Sequence, residues 1–103
     1  MALPNKYNQI ISLADASNYT RDFRQANPNA VKAGGFFKEY VEQVIDQPAC
    51  VAMRVYYGQD KNQNPVLVLV GVDKDGKDLS GGAVAEVIWP CPPWCDSASP
   101  LNG

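Results

Sequence analysis

"VAMRVYYGQDKNQNPVLVLVGV", residues 51–72, decides the fold. Its first part alternates, with Val51, Met53, Val55 and Tyr57 on one side and Ala52, Arg54 and Tyr56 on the other. That period of two is what a pleated strand imposes. Its last part is apolar on both sides, with Val66, Val68, Val70 and Val72 on one and Leu67 and Leu69 on the other. A strand greasy on both faces belongs in the middle of a sheet with both faces covered. The Asn-rich connection "QDKNQN" (59–64) joins the two strands.

Upstream, the period changes. In "FFKEYVEQVIDQP" (36–48) the pairs Phe36/Phe37, Tyr40/Val41 and Val44/Ile45 recur every four residues, while Lys38, Glu39, Glu42, Gln43 and Asp46 take the other side. This is a helix with a wide apolar stripe, stopped by Pro48. A first helix is expected from about Pro4 into the low twenties, with Tyr7, Ile10, Ile11 and Ala14 on one face and proline at its first position. "QANPNAVKAGG" (25–35) breaks it with a turn at 27–29. Gly34 and Gly35 then read as a bend into the second helix, because the segment lacks the lysine and hydroxyl of a phosphate loop.

Downstream, "DKDGKD" (73–78) resembles a calcium loop only superficially, since its glycine and acidic spacing do not match an EF-hand. It reads as a hairpin turn. A two-residue loop would oppose Lys74 to Lys77 and Asp73 to Asp78. A three-residue loop of Lys74, Asp75 and Gly76, with Gly76 left-handed, opposes Asp73 to Lys77 instead and is favoured. "GGAVAEVIW" (81–89) follows as a third strand, entered through a glycine kink. The expected architecture is α+β. Two N-terminal helices pack on a three-stranded antiparallel meander, residues 1–89 form one domain, and an extended Pro/Cys/Trp-rich tail occupies 90–103.

The totals narrow the function. The 103 residues suit one domain, with nine Lys and Arg against eleven Asp and Glu and no basic run. A phosphate-tracking surface needs clustered cations, so nucleic acid is not an expected partner. "PVLVLVGV" (65–72) is far shorter than the roughly 20 apolar residues of a membrane-spanning helix, and membrane insertion is not expected. The opening "MALPNKYNQIISLADAS" has no compact apolar block, so the default location is the cytoplasm, although export without a leader would look the same. Histidine is absent, which removes the commonest general base and metal ligand. No nucleophile–base pairing or phosphate loop is visible, so the chain reads as a non-enzyme with no catalytic residues, cofactor or metal.

The tail carries the remaining signal. "WPCPPWC" (89–95) sets Trp89 and Trp94 among Pro90, Pro92 and Pro93, prolines that would hold an extended strip from which the two indoles project as anchors. If both helices cover one sheet face, the other exposes an apolar row. Leu67, Leu69 and Tyr56 are its candidate receivers, for the chain's own tail or for another molecule. Cys91 and Cys95 are separated by three residues, not two, with no helix following to favour a thiolate. They could close a disulfide, constrained by Pro92 and Pro93, or remain thiols. Cys50, after the second helix, is the third sulfur and suits a small buried hydrophobe. Arg54 would meet a carboxylate or lie as a solvated stem.

The run "CVAMRVYYGQDKNQNPVLVLVGVDKDGKDL" (50–79), followed by "PCPPWCDSASPL" (90–101), resembles a recurrent type of short bacterial protein of unassigned function. Such proteins share a helix ending in Cys, an R-V-Y-Y-like strand, a V-G-V-D-x-x-G-x-D-L hairpin and a proline–cysteine tail. The resemblance spans about residues 36–101. It supports the fold and implies no chemistry. The leading expectation is an interaction or self-assembly module, binding itself (a homo-oligomer) or another protein through Trp89, Trp94, Pro92, Pro93, Leu67, Leu69 and Tyr56. The alternatives are a thiol protein, redox-active or sharing a metal between subunits, using Cys91, Cys95 and Cys50, and a soluble inhibitor or specificity factor for a larger protein.

Overall fold

The alternating and doubly apolar segments become adjacent antiparallel strands, β2 (Ala52–Gln59) and β3 (Pro65–Val72). The computed structural model describes residues 2–102. Its other elements are α1 (Leu13–Ala26), β1 (Ala33–Gly35), α2 (Lys38–Ile45), β4 (Val84–Ala85) and β5 (Trp89–Cys91). The order β2-β3-β4 is the expected meander, a second sheet pairs β1 with β5, and the chain is α+β.

The chain forms two compact units. One comprises residues 2–5 and Gly35–Trp89; the other comprises Lys6–Gly34 and residues 90–102. The body expected over 1–89 is therefore divided, and residues 6–34 belong with the tail.

In the first unit the register Tyr56↔Val68 and Arg54↔Val70 puts Ala52, Arg54, Tyr56 and the four valines of β3 on one face. Met53, Val55, Tyr57, Leu67, Leu69 and Gly71 take the other. The helix lies on that second face. A Cβ on Gly71 would meet the Val44 carbonyl at 3.1 Å and Cys50 Sγ at 3.0 Å, so glycine lets the end of α2 approach the strand. Leu69 is 2% exposed beneath it, and Val44 is equally enclosed. Gln47 fastens the helix end: its amide nitrogen donates to the Val44 carbonyl at 2.6 Å and its amide oxygen accepts from the Ala83 N–H at 3.3 Å.

The turn at 73–77 has the expected three-residue form. Gly76 has φ 80°, and the Asp73 N–H donates to the Lys77 carbonyl at 2.9 Å. Asp73 Oδ1 also accepts from the N–H groups of Asp75 and Lys77. The β2–β3 connection repeats the device, with Asp60 Oδ1 accepting from Asn62 and Asn64 and the positive φ falling on Gln63 at 66°.

Three elements differ from expectation. Helix α1 begins at Leu13, not near Pro4, because Ser12 caps it: Ser12 Oγ accepts the Asp15 N–H at 3.0 Å. Tyr7, Ile10 and Ile11 precede the helix and are exposed. The Gly34–Gly35 bend is part of β1. Third, the expected strand 81–89 is two short pieces, β4 and β5, paired with different partners.

Candidate functional site

Two surfaces gather the residues singled out above, one in each unit. In the first unit, α2 roofs β3 but leaves the β2 half of the same face open. Met53 and Val55 are exposed there, and Tyr57 is 92% exposed. Val41, Ile45, Cys50, Val51 and Met53 border a shallow cleft of about 380 Å³ between helix and strand. Strand β2 is also the edge of its sheet. Its outer backbone groups thus lack a partner among the described residues, over eight residues with no proline.

The opposite face is closed differently. Asp78 bridges to β3 at Val72, on the side away from β2. Arg54 therefore has to cross Val70 and Val72 to reach it, which it does, pairing with Asp78 Oδ1 while the Tyr56 hydroxyl donates to Oδ2. Val72 beneath is 1% exposed. The carboxylate partner weighed for Arg54 thus lies in the same chain. Hydrogen bonding from Tyr56, then from Arg54, holds the Asp78 carboxyl below its ordinary range. The same bond to Asp78 holds the Tyr56 phenol above its ordinary value.

The trio of receivers, Leu67, Leu69 and Tyr56, does not share a surface. Tyr56 pairs with Val68 and so points to the face opposite Leu67 and Leu69, and Leu69 is sealed under α2. A single-residue step in register exchanges faces, and the sequence alone did not fix it. Trp89 is not a free anchor. It lies flat on Gly35, where any Cβ would fall inside the indole, and tilts against Phe37 with ring centroids 6.2 Å apart.

In the second unit, Cys91 and Cys95 form a disulfide with Cα atoms 5.0 Å apart. Pro92 and Pro93 lie inside the loop it closes, preceded by cis peptide bonds. The segment 90–95 is thus a turn, with the Trp94 N–H donating to the Pro90 carbonyl at 2.9 Å and Cys95 to Pro93 at 3.0 Å. The prolines shape this turn and do not hold a straight strip. Beyond it the described residues, 96–102, lie in no helix or strand. Trp94 is 64% exposed at the mouth of a cleft of about 360 Å³, bordered also by Tyr19, Phe23, Arg24, Lys32 and Cys91. Lys32 N–H donates to the Cys91 carbonyl at 2.8 Å, and the Arg24 guanidinium holds the Leu101 carbonyl.

Cys50 is a half-buried free thiol whose Sγ lies 3.1 Å from the Ala52 carbonyl. Among the described residues no cluster of three or more His, Cys, Asp or Glu gathers to hold a metal. No helix among them is long and apolar enough to cross a membrane.

No family model, curated protein or solved structure matches this chain. The resemblance to short bacterial proteins therefore rests on the quoted residues. Sequence reasoning missed the open β2 half and the gathering of Arg24, Lys32 and Asp96 around the cleft that Cys91 lines. The first was signalled by the alternation at 51–57; the second depends on packing between residues about sixty positions apart.

Proposed function

We propose that this protein is a non-enzymatic interaction module that associates with a second copy of itself through strand β2. The observation that carries the reading is an eight-residue, proline-free edge strand with exposed Met53, Val55 and Tyr57 on its open face. Native edges are usually blunted by charge, proline or a bulge. The only charge on this strand is Arg54, which is turned inward to Asp78. An antiparallel pairing of two β2 edges about a two-fold axis is self-complementary. It would join two three-stranded sheets into one of six strands and bring Met53, Val55 and Tyr57 of both copies together.

The Cys91–Cys95 disulfide supports an oxidising setting for this module, in place of the cytoplasmic default read from the sequence. Trp94 adds an exposed indole in the other unit. Size-exclusion chromatography with light scattering tests the association. The wild type should grow in mean mass with concentration, and Val55→Lys, which sets a charge on the open row, should remain at monomer mass with an unchanged circular dichroism spectrum. A wild type that stays monomeric up to about 0.5 mM, far above the dissociation constants of specific pairs, would remove the proposal.

A further inference from the structure

We infer that the Cys91–Cys95 disulfide is a thiol–disulfide exchange site, whose substrate is a protein dithiol with an apolar side chain beside the attacking cysteine. This inference is independent of the β2 association. A bridge between residues four apart closes a short loop, the kind that removes least freedom from an unfolded chain, so stapling alone is a weak reason for it. Its two ends are also unlike. Cys95 is exposed, whereas Cys91 is 6% exposed and faces the cleft. A thiol in solution therefore meets one sulfur first.

The surroundings fit the exchange. A substrate thiolate attacks Cys95 Sγ, an S–S bond forms between them, and the Cys91–Cys95 bond breaks with its electron pair leaving on Cys91. Arg24 and Lys32 line the cleft with Cys91 against a single carboxylate, Asp96, so the departing thiolate finds a lining of net positive charge. The substrate's second thiolate then attacks its own sulfur in the mixed disulfide, closing the substrate's disulfide and releasing Cys95. The substrate is oxidised by two electrons, the protein pair becomes a dithiol, and the two protons pass from the former to the latter. Tyr19, Phe23 and Trp94 offer apolar walls for a side chain next to the attacking cysteine. The turn is pinned by backbone bonds from Lys32, Trp94 and Cys95, none of which involves sulfur, so none of them is lost when the S–S bond breaks.

The test uses the oxidised full chain. It is incubated with reduced glutathione, quenched in acid, and the mixed disulfide is located by peptide mass spectrometry. Glutathione should sit on Cys95 with Cys91 free, and the reduction rate should rise in proportion to glutathione. Lys32→Gln should slow the reaction about three-fold, and added salt should do the same to the wild type. A dithiol peptide with Phe beside its attacking cysteine should react about ten-fold faster than the same peptide with Ser there. Glutathione on Cys91, an even distribution, or a rate independent of glutathione (limited by unfolding) would each overturn the site. Equal rates for the two peptides would overturn the substrate assignment.

Discussion

Replacing Gly35 by alanine adds one methyl group where the Trp89 indole lies against the backbone, so the ring has to leave. Trp89 is 39% exposed, which means about three-fifths of a side chain that can bury 150–250 Å² is now covered. Losing that cover removes roughly 90–150 Å² of apolar burial, or about 2–4 kcal/mol as an upper bound at ~25 cal/mol per Å². Trp89→Ala alone should cost a similar amount, because it vacates the same contact. The informative variant is the double one. Once the ring is gone the methyl group meets no obstacle, so Gly35→Ala/Trp89→Ala should be no less stable than Trp89→Ala alone. Urea unfolding followed by far-ultraviolet circular dichroism measures all four stabilities without relying on the indole being removed. Strict additivity of the two single costs, or a Gly35→Ala cost below about 0.5 kcal/mol, would refute the reading that Trp89 is a fold anchor seated on Gly35.

The twin aspartate turns differ in the residue at positive φ, glycine in one and Gln63 in the other. Gln63→Gly should therefore stabilise the protein by up to about 1 kcal/mol, and Gly76→Ala should destabilise it by about 1–2 kcal/mol, in chemical unfolding. The bonds among Arg54, Tyr56 and Asp78 have a pH signature of two signs. Asp78 is held low, chiefly by Tyr56, so its contribution is present above about pH 4 and drains away as pH falls through its lowered value. Tyr56 is held high, chiefly by Asp78, so its contribution is present below about pH 10 and is lost as pH rises through its raised value. Asp78→Asn should bring the Tyr56 phenolate transition back toward its ordinary value in an ultraviolet absorbance titration; an unmoved transition would contradict the bond. Cys95→Ser opens a loop whose closure removes about 2 kcal/mol of chain entropy from the unfolded state, and a melting temperature equal to wild type would show that the bridge adds nothing.

Much of the first unit was legible because its signals are local. Alternation at 51–57 and the apolar run at 65–72 specify strands whatever surrounds them, and opposed charges at Asp73 and Lys77 chose the turn. What depended on partners was not legible. The three residues of β1 carry no period, and their pairing with β5 joins positions more than fifty apart. The start of α1 was misplaced because Pro4 and the spacing of Tyr7, Ile10 and Ile11 imitate a helix, whereas the Ser12–Asp15 cap supplies the bond that starts one. The relative register of β2 and β3 decided which receivers share a face, and neither strand's own pattern contains it.

Amide hydrogen exchange of the wild-type protein, followed residue by residue across dilution, bears most directly on self-association. If two β2 strands pair edge to edge, the outward N–H groups within Ala52–Gln59 should gain about ten-fold protection or more between dilute and concentrated samples, while amides bonded to β3 change little. Protection of β2 that is the same at every concentration, or a concentration-dependent gain confined to other segments, would contradict the account.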